Sequence, residues 1–210
     1  MFNKELLKFY FVCGTQDCEK GNAEETIEKA LENGVTMFQF REKGDGSLNG
    51  REKKEFAKKI QKLCRLRKIP FIVDDDIELA RELNADGIHI GQEDTPVEEA
   101  RKKLPDKIIG LSVGSLKEYL NSNLSKVDYI GVGPIFTTSS KNDAGNPVGI
   151  GLIRELRKIN EHIPIVAIGG ITEKNAKEVI KSGADGVAVI SAITKSENIE
   201  RTSLNLLNWK

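Results

Sequence analysis

The chain has 210 residues, enough for one domain or two small ones, and it carries 32 basic and 32 acidic side chains. A formal charge of zero gives no indication of a nucleic-acid partner or an anionic membrane. No apolar run reaches the ~18 residues of a membrane span, and the cysteines, Cys13, Cys18 and Cys64, are few and odd in number. Without a signal peptide, this pattern predicts a soluble cytoplasmic protein with free thiols rather than a zinc site.

Short apolar runs alternate with helical patterns along the whole chain. The eight runs lie at residues 9–12, 35–40, 71–73, 87–90, 108–113, 129–133, 165–168 and 186–190. Helical patterns follow them, including a long basic helix at 51–67, a helix capped by Thr172 that runs to Ile180, and a last helix that carries Trp209. Eight strand–helix units predict a (β/α)8 TIM barrel, with residues 1–210 forming a single domain. An open doubly wound sheet is the alternative, but residues 13–16 lack its usual glycine fingerprint.

The turns before three of these runs are similar to one another. Residues 84–90 resemble residues 183–189, and residues 126–132 are a weaker third copy, with Asp86, Asp185 and Asp128 at corresponding positions. Repetition of the helix-to-strand turn favours one structural unit repeated around a ring.

Acidic residues follow the third and fourth runs, at the ends where a barrel enzyme carries its reacting groups. Asp74, Asp75 and Asp76 end one run, and Asp94 lies just after the next. Because Asp76 directly precedes a helical pattern, we interpret it as an N-cap. Asp75 and Asp94 remain as candidate ligands, and a pair of carboxylates with open positions suits Mg²⁺ completed by water and phosphate oxygens.

Basic and phosphate-binding patterns follow other runs. Gln39, Arg41 and Lys43 alternate and so share one face of a strand, where they could hold a polyanion and a heterocycle. Gly169-Gly170 and Ile190-Ser191 end the last two runs, the usual place for a phosphate grip in these barrels. Two histidines are present: we expect His89 to be a packed core residue, and His162 lies at the opposite end of a strand. A histidine-dependent mechanism is therefore not indicated.

Six segments, in order and at matching spacing over nearly the whole chain, resemble the thiamine phosphate synthase (thiamine-phosphate pyrophosphorylase) family. They are residues 39–43, 71–75, 87–94, 133–136, 167–171 and 189–191. The resemblance implies a Mg²⁺-dependent transferase on a (β/α)8 barrel. It would join 4-amino-5-hydroxymethyl-2-methylpyrimidine diphosphate to a hydroxyethylthiazole phosphate, through a dissociative carbocation-like step, and yield thiamine phosphate and pyrophosphate.

The resemblance also implies roles for individual residues. The pyrimidine diphosphate would be bound by Asp74 together with Gln39, Phe40, Arg41, Glu42 and Lys43. Mg²⁺ would be bound by Asp75 and Asp94. Pyrophosphate and the substrates would contact Ser112, Thr138, Ser139, Ser140 and Lys141, and the thiazole phosphate would contact Gly170, Ile190 and Ser191. Catalysis would depend on Arg41, Lys43, Ser112 and Lys141.

Two positions depart from the family pattern. Asp74 stands where the family usually has Asn, so it keeps an acceptor but adds a charge and loses an N–H donor. Gly114 stands where relatives often carry His. A related thiazole tautomerase would lack the acid pair and would need that His, so Asp75, Asp94 and Gly114 argue against it. A non-catalytic sensor of phosphate ligands is the other alternative, and the charged rim disfavours it. Homo-oligomerisation and the closure of the polar loop 137–147 are left open.

Overall fold

The computed structural model describes residues 2–19, 21–140 and 145–209, and its centre is a closed barrel of eight parallel strands. Each strand pairs with the next in the chain, and β8 pairs with β1, which confirms the predicted (β/α)8 fold. The strands are β1 (Phe9–Cys13), β2 (Met37–Phe40), β3 (Phe71–Asp74), β4 (Gly87–Ile90), β5 (Ile108–Val113), β6 (Tyr129–Val132), β7 (Ile165–Ile168) and β8 (Gly186–Val189).

Helices follow the strands and cover the outside of the barrel. They are α1 (Ala23–Glu32), α2 (Gly50–Leu66), α3 (Ile77–Glu82), α4 (Val97–Lys103), α5 (Leu116–Asn121), α6 (Gly149–Ile159), α7 (Ala176–Lys181), α8 (Ser191–Thr194) and α9 (Ile199–Leu207). Across the described ranges, none of these helices has the length and apolar character that a membrane crossing requires.

Two predicted details of the helices differ in the structure. The N-cap of α7 is Asn175 and not Thr172. Thr172 instead begins the turn before the helix: its Oγ1 accepts the N–H of Lys174 at 3.3 Å, its own N–H donates to Asn175 Oδ1 at 2.8 Å, and the Asn175 amide donates to Gly170 O. These bonds form a turn, and the α-helix begins only at Ala176. Trp209 lies beyond the end of α9 at Leu207.

The strands separate two apolar layers. The side chains inside the barrel include Tyr10, Met37, Ile72 and Tyr129, all fully or almost fully buried. The larger outer layer lies between the strands and the helices and includes Phe38 and Phe71. Successive side chains of a strand point to opposite faces, and in most of these strands every residue is buried. Both faces of the barrel wall are therefore covered by apolar side chains.

The repeated turns of the sequence fasten neighbouring strands at the amino-terminal face of the barrel. Asp86, Asp128 and Asp185 each accept a hydrogen bond from a backbone N–H near the start of the preceding strand, at 2.8–2.9 Å. Thr36 makes the same contact with the N–H of Phe9 at 2.8 Å. The internal sequence similarity therefore reflects one clamp, used between β1 and β2, β3 and β4, β5 and β6, and β7 and β8.

Candidate active site

Two carboxylates meet at the carboxyl-terminal rim. Asp75 directly follows β3, and Asp94 lies in the loop between β4 and α4, with its Oδ2 accepting the N–H of Gly91 at 2.7 Å. The two carboxyl groups are close enough that each shifts the pKa of the other. Burial, the charge of Asp74 and the contact with Asp94 raise the pKa of Asp75 to about 7. Asp75 also has a φ of 58°, a strained backbone that residues at functional sites often adopt.

Two basic side chains in the loop after β2 face these acids. Lys43 Nζ lies 2.5 Å from Asp75 Oδ2, and this contact raises the pKa of the lysine. Arg41 Nε lies 3.4 Å from Asp74 Oδ2, and both side chains are less than a tenth exposed. The charge that Asp74 adds in place of the family's Asn is therefore offset by the buried guanidinium of Arg41.

Asp76 has the separate role that the sequence predicts. Its Oδ1 accepts the N–H of Leu79 at 3.0 Å and caps α3, while Lys53 contacts Oδ2. Although burial opposes the change, these hydrogen bonds hold the pKa of Asp76 below its usual value. The third acid of the cluster thus belongs to the helix, and the first two belong to the rim.

Phe40 and Glu42 face different surroundings from Gln39, Arg41 and Lys43. Phe40 packs in the outer layer against Phe56 and Phe71, away from the barrel interior. Glu42 is buried, and its carboxylate accepts hydrogen bonds from the N–H and hydroxyl of Thr15 and from the N–H of Leu48. The described contacts of Glu42 join the loop after β1 to the loop after β2. Binding of substrate by Phe40 and Glu42 stays a prediction.

Two adjoining cavities open at the rim, each of about 380 Å³. Ser112, Thr138 and both glycines of the 169–170 pair line the first. Arg41, Lys43 and Ser139 line the second, and the residues that line both are Ser140, Ile190 and Ser191. The predicted phosphate-binding residues therefore lie beside Arg41 and Lys43, the two predicted diphosphate-binding residues that line a cavity. Lys141 lies outside the described residues.

The glycine pair and the short helix α8 form one wall of the first cavity. Gly169 and Gly170 have φ values of 101° and 63°. A Cβ on Gly170 would come within 2.6 Å of Thr137 O, so the tight approach of the two loops requires glycine there. Ile190 and Ser191 lie at the start of α8, where backbone N–H groups are available for an anion.

The barrel interior adds two tyrosines, Tyr10 and Tyr129, that the sequence patterns do not single out. Burial of His89 confirms that it is a packed residue, but both its ring nitrogens also make hydrogen bonds, to Tyr129 Oη at 3.0 Å and to Ser112 Oγ at 2.9 Å. Tyr10 links Tyr129 to Gln39. His162 is exposed and lies before β7, at the opposite end from the site.

The rim has the composition of a cation site without a complete protein ligand set. Within the described ranges, there is no group of three or more His, Cys, Asp or Glu residues arranged to hold a metal ion. Asp75 and Asp94 supply two carboxylates. The raised pKa of Asp75 reflects burial first and neighbouring negative charge second, and a bound cation would offset both effects. This fits an ion such as Mg²⁺, which retains water and substrate oxygens in its coordination shell.

The fold and the rim together define a (β/α)8-barrel enzyme, with its charged site at the carboxyl ends of the strands. Comparison with known proteins is more specific. A family described as thiamine monophosphate synthase matches residues 9–193. The thiamine-phosphate synthase of Staphylococcus epidermidis is 54% identical over 210 residues, covering 100% of this chain and 99% of the relative. That of Streptococcus agalactiae is 56% identical over 196 residues, covering 93% and 88%.

A solved structure has the same fold and a related sequence. The thiamine phosphate pyrophosphorylase of Pyrococcus furiosus superposes with a TM-score of 0.85 at 35% identity, covering 98% of this chain and 96% of its own. The chain belongs to the thiamine monophosphate synthase family. It is accordingly an enzyme, a transferase of thiamine biosynthesis, which confirms the class of activity that the resemblance implied.

Proposed function

We propose that this enzyme transfers the 4-amino-2-methylpyrimidinylmethyl group from its diphosphate to a hydroxyethylthiazole phosphate and releases pyrophosphate, with Mg²⁺ bound by Asp75 and Asp94. The observation that carries the proposal is that Arg41 and Lys43 line one of two adjoining cavities while Lys43 also pairs with Asp75. One cavity has a basic wall suited to a diphosphate. The other has the glycine and α8 wall suited to a phosphate monoester.

The side chains support a dissociative reaction. The pyrimidine C–O bond breaks, the departing pyrophosphate keeps the electron pair, and the thiazole nitrogen then forms the new C–N bond. Arg41 and Lys43 stabilise the charge that develops on the leaving group. Bound Mg²⁺ would supply further neutralisation of the same charge.

No protein nucleophile is required, because the carbocation is stabilised by the electron-donating amino group of the pyrimidine itself. The contribution of the protein is to align the two substrates and to exclude water from the cation. In the described chain, Ser112 contacts His89, and neither residue is needed as an attacking group. Lys141, which the resemblance places at the pyrophosphate, remains part of the proposal.

The proposal is tested by pyrophosphate release. Release should require both substrates and Mg²⁺, and it should stop when the metal ion is chelated. Lys43→Ala should lower turnover by at least about a hundredfold, as expected for loss of one group that stabilises transition-state charge. Lys53→Ala is the matched control, since Lys53 pairs with Asp76, the neighbouring acid outside the site. Absence of pyrophosphate release with both substrates would refute the function, and equal losses in the two variants would refute the role of Lys43.

A further inference from the structure

A chain of hydrogen bonds runs below the site, through the interior of the barrel. The Gln39 amide donates to Tyr10 Oη at 2.9 Å, Tyr10 Oη lies 2.9 Å from Tyr129 Oη, and Tyr129 Oη lies 3.0 Å from His89 Nδ1. His89 Nε2 lies 2.9 Å from Ser112 Oγ. Five strands contribute one residue each. The family resemblance assigns both ends of the chain, Gln39 and Ser112, to the pyrimidine diphosphate and its pyrophosphate, and Ser112 lines the first of the two adjoining cavities.

The backbone is shaped to hold this chain. A Cβ on Gly110 would lie 2.2 Å from Tyr129 Cζ and 2.5 Å from His89 Nδ1. A Cβ on Gly131 would lie 3.0 Å from His89 Cε1. Gly131 also lines the first cavity, so the His89 ring packs against a residue of that cavity's wall. A side chain at either glycine would displace the rings of Tyr129 and His89, so the observed packing requires glycine at both positions.

The chain has one direction, because each hydroxyl carries a single proton. Burial raises the pKa of both Tyr10 and Tyr129, so both remain protonated. With the Gln39 amide donating to Tyr10, the Tyr10 proton goes to Tyr129 and the Tyr129 proton goes to His89 Nδ1. His89 must then be neutral with its proton on Nε2, where it donates to Ser112 Oγ.

We propose that this directional chain makes His89, Tyr129 and Tyr10 positioning residues. At one end they leave the Ser112 hydroxyl proton free to donate to the substrate diphosphate. At the other end they leave Gln39 Oε1 free to accept a hydrogen bond from the amino group of the pyrimidine. The inference rests on the proposed function. Gln39 Oε1 is buried and has no hydrogen-bond partner within the described residues. A diphosphate accepts hydrogen bonds only, and an aminopyrimidine offers an N–H, so the proposed direction matches the substrate at both ends.

The opposite direction fails at both ends. It would turn the Gln39 amide so that its N–H groups, rather than its carbonyl oxygen, were left buried, and unpaired buried N–H groups are rarer than unpaired carbonyls. In that direction the Ser112 hydroxyl would also donate its proton to His89 Nε2, so Ser112 would present only oxygen lone pairs to the diphosphate. The tautomer of His89 therefore reports the direction of the whole chain.

The tautomer is measured by ¹⁵N NMR of the free protein labelled in histidine. The chain has two histidines, and His162→Gln removes the exposed one, so the remaining ring is His89. We expect a neutral ring with the proton on Nε2. A ring protonated on Nδ1, or on both nitrogens at neutral pH, would overturn the proposal. This measurement needs no substrate, so an Nε2–H tautomer in a protein without transferase activity would refute the proposed function while supporting the direction of the chain.

A matched pair of variants tests positioning. Tyr129→Phe removes one hydroxyl from the middle of the chain and should convert His89 to a mixture of tautomers. It should also lower kcat about tenfold, the loss of one hydrogen bond of about 1.4 kcal/mol, with KM for the thiazole phosphate unchanged within about twofold. Tyr119→Phe makes the same change in α5, outside the chain, and should alter neither quantity. Unchanged kcat and an unchanged tautomer in Tyr129→Phe would overturn the proposal.

Discussion

Asp75→Asn offers a direct test of the electrostatics at the rim. Burial, Asp74 and Asp94 raise the pKa of Asp75 from 3.8 to about 7 in the folded protein. Between about pH 4 and pH 7, the folded protein therefore keeps a proton that the unfolded chain has lost. The stability from this group is fully present below about pH 4 and is lost as the pH rises through about 7. At pH 8, with no metal ion bound, the ionised carboxylate therefore lowers the free energy of unfolding.

The magnitude follows from the pKa. The full difference corresponds to at most about 4 kcal/mol in the free energy of unfolding. The side chain is 23% exposed and contacts Lys43, and water and the lysine both relieve part of the charge. We therefore expect Asp75→Asn to be more stable than the parent by about 2 kcal/mol at pH 8 and nearly equal to it at about pH 4.

The assay is urea unfolding in the presence of a chelator, at several pH values between about 4 and 8. Asp76→Asn is the control, because the pKa of Asp76 is lowered: that acid stabilises the fold at high pH, and its variant should be less stable than the parent at pH 8. Parallel stability curves for the parent and Asp75→Asn would refute the reasoning, and so would an Asp75→Asn variant that is the less stable of the two at pH 8.

Two further predictions follow. Asp74→Asn should retain turnover within a few fold, because Asn keeps an acceptor towards Arg41, and an inactive variant would contradict this. The same variant should lower the pKa of Asp75, because it removes a neighbouring negative charge, so the loss of folding stability with rising pH should be complete at a lower pH than in the parent. Arg157→Ala should lower the free energy of unfolding by about 3 kcal/mol, since its guanidinium holds the partly buried Asp185 carboxylate and three backbone carbonyls. The exposed Arg154→Ala, on the same helix, is the control in urea unfolding, and equal losses would contradict the second prediction.

The fold could be predicted from the sequence because its signals are local. Each apolar run, and the turn before it, depends on neighbouring residues, and the eight runs correspond to the eight strands. The rim followed from the same reasoning, since parallel strands deliver their carboxyl ends to one edge. The cap formed by Asp76 was predictable for this reason, and the structure confirms it.

The parts that could not be predicted depend on which face of a strand points inward. Both faces of these strands are buried, so the hydropathy pattern does not indicate which face points into the barrel. It therefore could not show that Gln39 lies inside the barrel and Phe40 in the outer layer. The bonds of Glu42 to Thr15, and of His89 to Ser112, join residues far apart in sequence. The cap of α7 lies three residues later than predicted, because Asn175 bonds to Thr172 and to Gly170 and forms a turn ahead of the helix.

The clamps at the amino-terminal face divide the barrel into four modules, each a strand, a helix and a second strand pinned to the first. Asp86 and Thr36 fasten strands within modules, and none of these four clamps joins β2 to β3. At the opposite face, that seam is crossed by two ion pairs, from Arg41 and Lys43 of the first module to the acids of the second. The charged centre of the enzyme is thus also a joint between modules. We therefore expect a substrate or cation that binds to those charged groups also to change how firmly β2 is held to β3.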